Sequence, residues 1–378
     1  MTVPFDARPV LAEIDLTAVT ENLTRVRELA GSGRKIIPAV KADAYGHGVV
    51  PVSRHLQALG VDGIATANVD DAVSARAAGI SLPILIYGAQ LPSGNEALLD
   101  HGLTPTIYDR AGLDSVDALG RARGHPVAVH VKVDAGLGRL GVRLNEAAGF
   151  LAEALSRDGV ALEGVYTHIP FSSTDGAGWS ARRLAAFADM LGSVEGTHGI
   201  DIPIKQASAS SLLSARVPDR LNTVAPGHLI FGLSPLSDVP PAEIGVRPAL
   251  VSLRAKLIHV ADRHTGDDLA GGSAAAGRTG VILFGMDNGF RPAPAGKTAH
   301  VLCRGVRCPV TSVSAEYACI DLSALPDAVV GDDVTIIGND GDTGQTVEDL
   351  AADLGAPSAA YWLVGLKRIP TRYSDDGS

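Results

Sequence analysis

Residues 39–48 read Ala-Val-Lys-Ala-Asp-Ala-Tyr-Gly-His-Gly, with Lys41 directly behind the apolar run Ile36–Val40. An amine projecting from the end of a buried strand sits in partly dry surroundings, which favour its neutral, nucleophilic form. That form is what an imine with an aldehyde cofactor requires. Tyr45 adds a hydroxyl, while Gly46 and Gly48 add backbone that can approach a ligand closely, and both features suit a phosphate. The bland alternative is a strand-end lysine snorkelling to water, which accounts for none of the neighbouring residues.

Such an amine needs a scaffold in which strand ends converge. From Ile36 to Gly232, short apolar runs alternate with helical stretches: Ile36–Val40, Gly63–Thr66, Ile84–Tyr87, Thr104–Ile107, Val127–Val133, Leu162–His168, Ile202–Gln206 and His228–Gly232. Amphipathic segments such as Val50–Leu59, Asp70–Ala78 and Trp179–Leu191 lie between them. Ahead of the first run, Asp15 stands at an N-cap position, and Leu16, Val19, Leu23, Val26 and Leu29 recur at helical spacing. Eight strand–helix alternations predict an α/β fold, a (β/α)8 barrel with its chemistry at the strand ends. Lys41 falls at the end of the first run.

After about Pro240 the period changes to two. Val251, Leu253, Ala255 and Leu257 alternate with Ser252, Arg254 and Lys256, and the runs Val301–Cys303, Ala318–Leu322 and Asp333–Ile337 follow between Gly, Pro and Asp turns. The expected division is a barrel over residues 1–240 and a β-rich C-terminal domain over 241–378. The stretch Ala270–Gly280 reads as a flexible surface loop and Asp375–Ser378 as a frayed end.

At 378 residues the chain is long for one core, and 46% apolar residues can fill two. A formal net charge of −10 argues against nucleic acid or an anionic membrane as partner. Met1–Val10 carries Asp6 and Arg8 and no long apolar core, and no segment approaches the roughly 20 apolar residues of a membrane span, so a cytoplasmic location is expected. Cys303, Cys308 and Cys319 match no paired-thiolate metal spacing and read as buried thiols; no metal site is expected.

With two domains outlined, the chain resembles the alanine racemase family, which depends on pyridoxal 5′-phosphate (PLP, fold type III). The motifs carrying the likeness run from Glu13 to Arg372. Ala39–Gly48 resembles the family's PLP-lysine motif, and Leu11–Leu16 its opening strand. Lys132-Val-Asp-Ala-Gly-Leu-Gly-Arg139 resembles its lysine-to-arginine strand and loop, which implies Arg139 on the cofactor's phenolic oxygen. Gly164-Val-Tyr-Thr-His168 resembles the strand that lays a histidine beside the pyridine. For the phosphate, Ala209-Ser210-Ser211-Leu-Leu resembles Ala-Asn-Ser-Ala-Ala, and Pro226-Gly227-His228 resembles the Pro-Gly turn. The resemblance thus implies Tyr45, Ser210, Ser211, Gly227, His228 and Tyr361 around the cofactor, in a homodimer whose active site lies at the interface.

Three positions depart from the family pattern. Its second base is a tyrosine in Gly-Tyr-x-Asp-Gly-Tyr, where this chain has Gly285-Met286-Asp-Asn-Gly289-Phe290. Ala225 stands where the family places an arginine on the ring nitrogen. Ser314-Ala315-Glu316-Tyr317 replaces a Met-Asp pair near the substrate carboxylate, with Glu316 keeping an acidic group and Tyr317 offering an off-register phenol. Labilising the α-hydrogen needs only the imine, a base and the electron sink, whereas inversion needs a proton on the opposite face. Three readings remain open: an amino-acid racemase or epimerase with Lys41 as one base and a substituted second base, a PLP-dependent lyase or decarboxylase using Lys41 alone, and a non-catalytic PLP-binding homologue.

Overall fold

A computed structural model describes residues 9–88, 91–269, 272–273 and 277–375. They form two compact units, Ala18–Arg247 and Met1–Thr17 with Pro248–Ser378. Strand β1 (Val10–Asp15) pairs in parallel with the last strand and antiparallel with Leu250–Ala255, so the start of the chain is part of the β-rich unit. The expected division at 240 had left it with the barrel. Asp15 does cap the following helix, Leu16–Ala30, accepting the Thr17 N–H at 2.8 Å.

The first unit is a (β/α)8 barrel. Strands β2 (Lys35–Ile36), β3 (Ile64–Thr66), β4 (Ile84–Ile86), β5 (Thr106–Ile107), β6 (Val127–Asp134), β8 (Val160–Tyr166), β9 (Ile204–Ser208) and β10 (Thr223–Val224) supply its staves, and β7 (Val142–Arg143) is a short addition beside β6. Parallel ladders join β5, β6, β8, β9, β10 and β2, and another joins β3 to β4; the bridges Ala39–Ala65 and Leu85–Thr104 close the ring. Parallel staves are buried on both faces, hence near-continuous apolar runs. On β6, Val131 and Val133 pack outward with Leu151, Leu184 and Phe187 of the surrounding helices, while His130 and Lys132 turn toward the Tyr166 ring.

Two local expectations fail here. The eighth stave is Thr223–Val224, and His228–Phe231 is a turn of 3-10 helix. Pro226, lacking an N–H, ends the ladder, and the Ile230 N–H turns back to the Gly227 carbonyl at 3.0 Å. Nor does Lys41 simply cap a strand. Ala42, Asp43, Ala44 and Tyr45 all sit at φ 53–55°, a full left-handed turn made without glycine. Left-handed backbone costs roughly 1–2 kcal/mol per L-residue, and surrounding bonds must hold it in place. They do: the Asp43 carboxylate accepts the Val49 N–H at 2.6 Å, its N–H reaches Asp71 at 3.1 Å, and its carbonyl takes the Gly48 N–H at 2.9 Å.

Ala42, exposed and left-handed, is where glycine would relieve the strain. Ala42→Gly is expected to stabilise the barrel by ~0.5–1 kcal/mol, net of the unfolded-state entropy that glycine adds. A higher denaturant midpoint with an unchanged slope is the check; a lower midpoint would mean that the turn is not strained.

The second unit is mainly β, with two short helices, Val347–Asp353 and Ala359–Leu363. Strand β11 (Leu250–Arg263) pairs with β1, β14 (Gly277–Ile282) and β18 (Asp333–Asp340). With β15 (His300–Cys303), β16 (Val306–Val313) and β17 (Ala318–Asp321), the order β11-β14-β17-β16-β15-β18 returns to β11 as a closed barrel. Gly272–Ser273 pairs with Asp268–Leu269 and Gly277 already belongs to β14, so much of the expected loop is strand; positions 270, 271 and 274–276 lie outside the described residues. So do residues 1–8, within the N-terminal stretch read above, and residues 376–378, within the expected frayed end. Cys303 and Cys308 are buried and free, their thiols pushed up to about 12 and about 11 chiefly by burial. Among the described residues no helix is long and apolar enough to cross a membrane.

Candidate active site

The C-terminal ends of the staves bring basic groups together. Lys41 follows the first stave, Lys132 lies near the end of β6, Arg139 is in the loop after it, His168 lies just beyond β8, and His228 follows β10. They are close enough to act on one another's charge. Burial, then Lys41, Lys132, Arg139 and His228, push the His168 imidazole down to about 3. Burial and then Lys41 push His228 down to about 4. Burial, then Arg139, outweigh the pull of Asp134 and bring Lys132 down to about 8. Lys41 is lowered too, first by desolvation and then by Arg139.

Lys41 is exposed by surface area although most of the volume around its amine is protein. Its surroundings are thus partly dry: desolvation lowers the amine's proton affinity although the side chain reaches solvent. Its amine lies 5.7 Å from the Tyr45 ring centroid, and the Lys132 amine lies 4.6 Å over Tyr166. Tyr166 is fixed beneath by a 3.1 Å hydroxyl contact with Thr106.

The phosphate-side residues also assemble. The Tyr45 ring packs 5.4 Å from His228 and 5.1 Å from Phe231. A Cβ added at Gly227 would meet the Tyr45 hydroxyl at 2.5 Å, so only glycine allows that approach. Ser210 Oγ accepts the N–H of Gly227 at 3.0 Å and of Leu229 at 3.3 Å, which leaves its own proton to donate. Ser211 is half-buried beside it. Ala225 is buried and offers no donor beyond its backbone. Glu316 and Tyr361 belong to the β unit, where both are exposed. The cavity of about 380 Å³ lined by Arg34, Ser208, Arg216 and Asp219 contains none of these amines.

Lys132, Asp134 and Tyr166 were within sight of sequence reasoning but received no role. Lys132 and Asp134 flank the quoted loop, and strand alternation alone puts Lys132 on the inward face of β6. The chemistry of the set is one-sided. Two amines, a guanidinium and two imidazoles share the mouth, and the carboxylate that acts on Lys132, Asp134, is occupied by backbone N–H groups. A group carrying a phosphate, a phenolate and an aldehyde fits such donors, with anionic oxygens for the cations and a carbonyl for an uncharged amine.

The three low-pKa histidines predict acid sensitivity. Burial holds His47 down to about 4, as it does His228, with His168 lower still. Unfolding lets each regain an ordinary value near 6.5 and bind a proton, so their stabilising contribution is present above that pH and is lost as pH falls toward 4. Urea midpoints of the cofactor-free chain are expected to fall between pH 6.5 and 4. A flat profile would contradict the buried, neutral imidazoles.

Fold and site together define a closed βα barrel with an anion-receiving mouth, joined in sequence to a β-barrel unit. Residues 14–235 match the family described as alanine racemase, N-terminal domain, and residues 250–373 match alanine racemase, C-terminal domain. An alanine racemase of Desulfovibrio desulfuricans is 34% identical over 98% of this chain and 99% of its own length. One of Halothermothrix orenii is 32% identical over 97% of each. Among solved structures, alanine racemase of Clostridium difficile has a TM-score of 0.85 at 27% identity, covering 100% of this chain and 97% of that one. The Bacillus anthracis enzyme with bound L-Ala-P gives the same TM-score, identity and coverage. The chain belongs to the alanine racemase family, whose proteins are PLP-dependent.

Proposed function

We propose that this chain is a PLP-dependent amino-acid racemase or epimerase in which Lys41 holds the cofactor and serves as one base. The observation that carries this reading is the basic, carboxylate-poor cluster around Lys41 at the barrel mouth. Its whole-length likeness to alanine racemases supports it. When bound, PLP supplies a covalent handle for Lys41 and an electron sink for the substrate's α-carbon.

The protein's own groups then have distinct tasks. Lys41, its proton affinity lowered by desolvation and by Arg139, takes and returns a proton on one face. Arg139 would offer a positive charge to the phenolic oxygen. His168 is neutral at working pH and packs as an uncharged ring. Tyr45, Ser210, Ser211, Gly227 and His228 would receive the phosphate, and Ala225 would offer the ring no charged side chain. Tyr361 and Glu316 would come from the β unit, Glu316 toward the substrate carboxylate in a homodimer that lends each β unit to the other copy's barrel. With a net charge of −10, a cytoplasmic enzyme acting on free amino acids is the matching setting.

A second reading rests on one residue. Met286 can neither take nor give a proton, and Asp287 beside it is paired with Arg368 at 3.0 Å. A lyase or decarboxylase working from the Lys41 face alone needs no opposing base. The test is a panel of single-enantiomer amino acids incubated with the PLP-loaded enzyme in deuterated water. Deuterium at the α-carbon with loss of optical rotation supports racemisation. Release of carbon dioxide or ammonia, with the remaining substrate still of one hand, would replace it with the second reading.

A further inference from the structure

Asp134 ends stave β6, and its carboxylate is surrounded by the loop that follows. Oδ1 accepts the N–H of Gly136 at 2.8 Å and of Leu137 at 2.7 Å; Oδ2 accepts Gly138 at 2.8 Å and Arg139 at 3.2 Å. Four consecutive amides thus converge on one side chain. The loop is also fixed from behind: the Ala135 N–H reaches Thr167 Oγ1 at 3.3 Å, and Arg183 donates to the Ala135 carbonyl. Gly136 sits at φ 127°, where an added Cβ would meet Trp179 at 3.1 Å and Arg183 at 3.3 Å, and Gly138 is left-handed at φ 71°. A turn of this shape would splay without an acceptor at its centre, since its amides point inward at one another.

The residue at the end of that turn is Arg139, whose charge acts on Lys41, Lys132 and His168. We infer that Asp134 is a positioning residue: by gathering the four amides of 136–139 it fixes the backbone that carries Arg139 at the barrel mouth and so governs how Lys41 captures the cofactor. This rests on the reading of Lys41 as the PLP lysine. Burial alone would raise the Asp134 carboxyl, but the four N–H bonds outweigh it and hold the group ionised. The charged and titratable groups facing Lys41 are Arg139, Tyr45, Lys132, His168 and His228, and Asp134 acts directly on Lys132 but not on Lys41. Its influence on Lys41 is therefore carried by the loop.

The full-length chain, stripped of cofactor, is given PLP across a pH series, and capture is followed by visible absorbance. Wild type captures with a midpoint set by Lys41. Asp134→Asn turns two amides toward an NH2 group, which releases the loop and Arg139. Its midpoint should rise by about one pH unit, slowing capture roughly tenfold near neutrality. Asp134→Glu keeps the charge but misplaces it, and should shift the midpoint in the same direction. It also serves if the asparagine variant does not fold. In an Arg139→Ala background neither substitution should move the midpoint further, because the effect runs through Arg139. A lower melting temperature with an unmoved midpoint would make Asp134 merely structural. An equal shift without Arg139 would mean that the loop reaches Lys41 by a route other than Arg139, and either result overturns the proposal. Capture by wild type with no shift in the variants refutes only this inference. A wild type that never captures PLP removes the reading beneath it as well.

Discussion

Lys41→Ala is expected to give a folded protein that stays colourless with PLP and turns over no amino acid. The side chain is exposed at the barrel mouth, so its removal leaves no cavity. The left-handed turn that follows is held by Asp43, Asp71 and Val49 rather than by the amine. Stability should therefore hardly change, and removing a like charge from beside Arg139 and Lys132 should if anything relax them. Function, by contrast, loses both the covalent link and a positioned base, the latter alone contributing ~10²–10⁴-fold. Absorbance after gel filtration and the urea midpoint, measured on one preparation, separate the two effects. A variant that still retained coloured cofactor would place the attachment elsewhere, and Lys132, with its pKa lowered to about 8, would be the residue to replace next.

The second large effect concerns the β unit. Met286 is 49% exposed, on a short turn (Met286–Asn288) whose backbone is tied to the neighbouring loop: its N–H reaches the Ser314 carbonyl at 3.0 Å, and the Asp287 N–H reaches Ala315 at 2.8 Å. Backbone contacts set this geometry, so a tyrosine at 286 can be carried without disturbing it. If return of a proton on the face opposite Lys41 limits inversion, Met286→Tyr should accelerate racemisation on the order of 10²-fold, the lower end of general acid–base catalysis. Initial rates from each enantiomer, with solvent deuterium incorporation, are the measurement. An unchanged rate would mean that another group already carries the proton. Tyr317 is the nearby phenol: it is 44% exposed, and the peptide joining it to Glu316 packs against Gly285. A gain in deuterium exchange without inversion would favour the reading in which the opposite face stays unused.

Much of this architecture is written in local pattern. Apolar runs spaced by amphipathic segments count out the staves because a strand buried on both faces must be apolar along its length. The change to period two after Pro240 marks strands with distinct inner and outer faces. What failed did so for identifiable reasons. The apolar run His228–Gly232 reads as a stave, but an apolar segment of that length packs equally well as a short helix, and Pro226 decides between them. The chain's opening strand was assigned by proximity in sequence to the barrel, although its ladder partners, β11 and Thr371–Ser374, lie hundreds of residues away.

The sequence by itself determined which side chains are candidates for the chemistry: Lys41, Arg139, His168 and the Ser210–Gly227 pair are local motifs, and each lies at the end of a stave or in the loop after it. Tertiary structure alone decided how those groups are charged and aimed. The left-handed turn behind Lys41, the joining of Lys132 to the same electrostatic cluster, and the four amides converging on Asp134 depend on distances between atoms and on backbone angles, not on residue order. Proton affinities follow from burial and from charges a few ångströms away, and those neighbours are assembled only when the barrel closes.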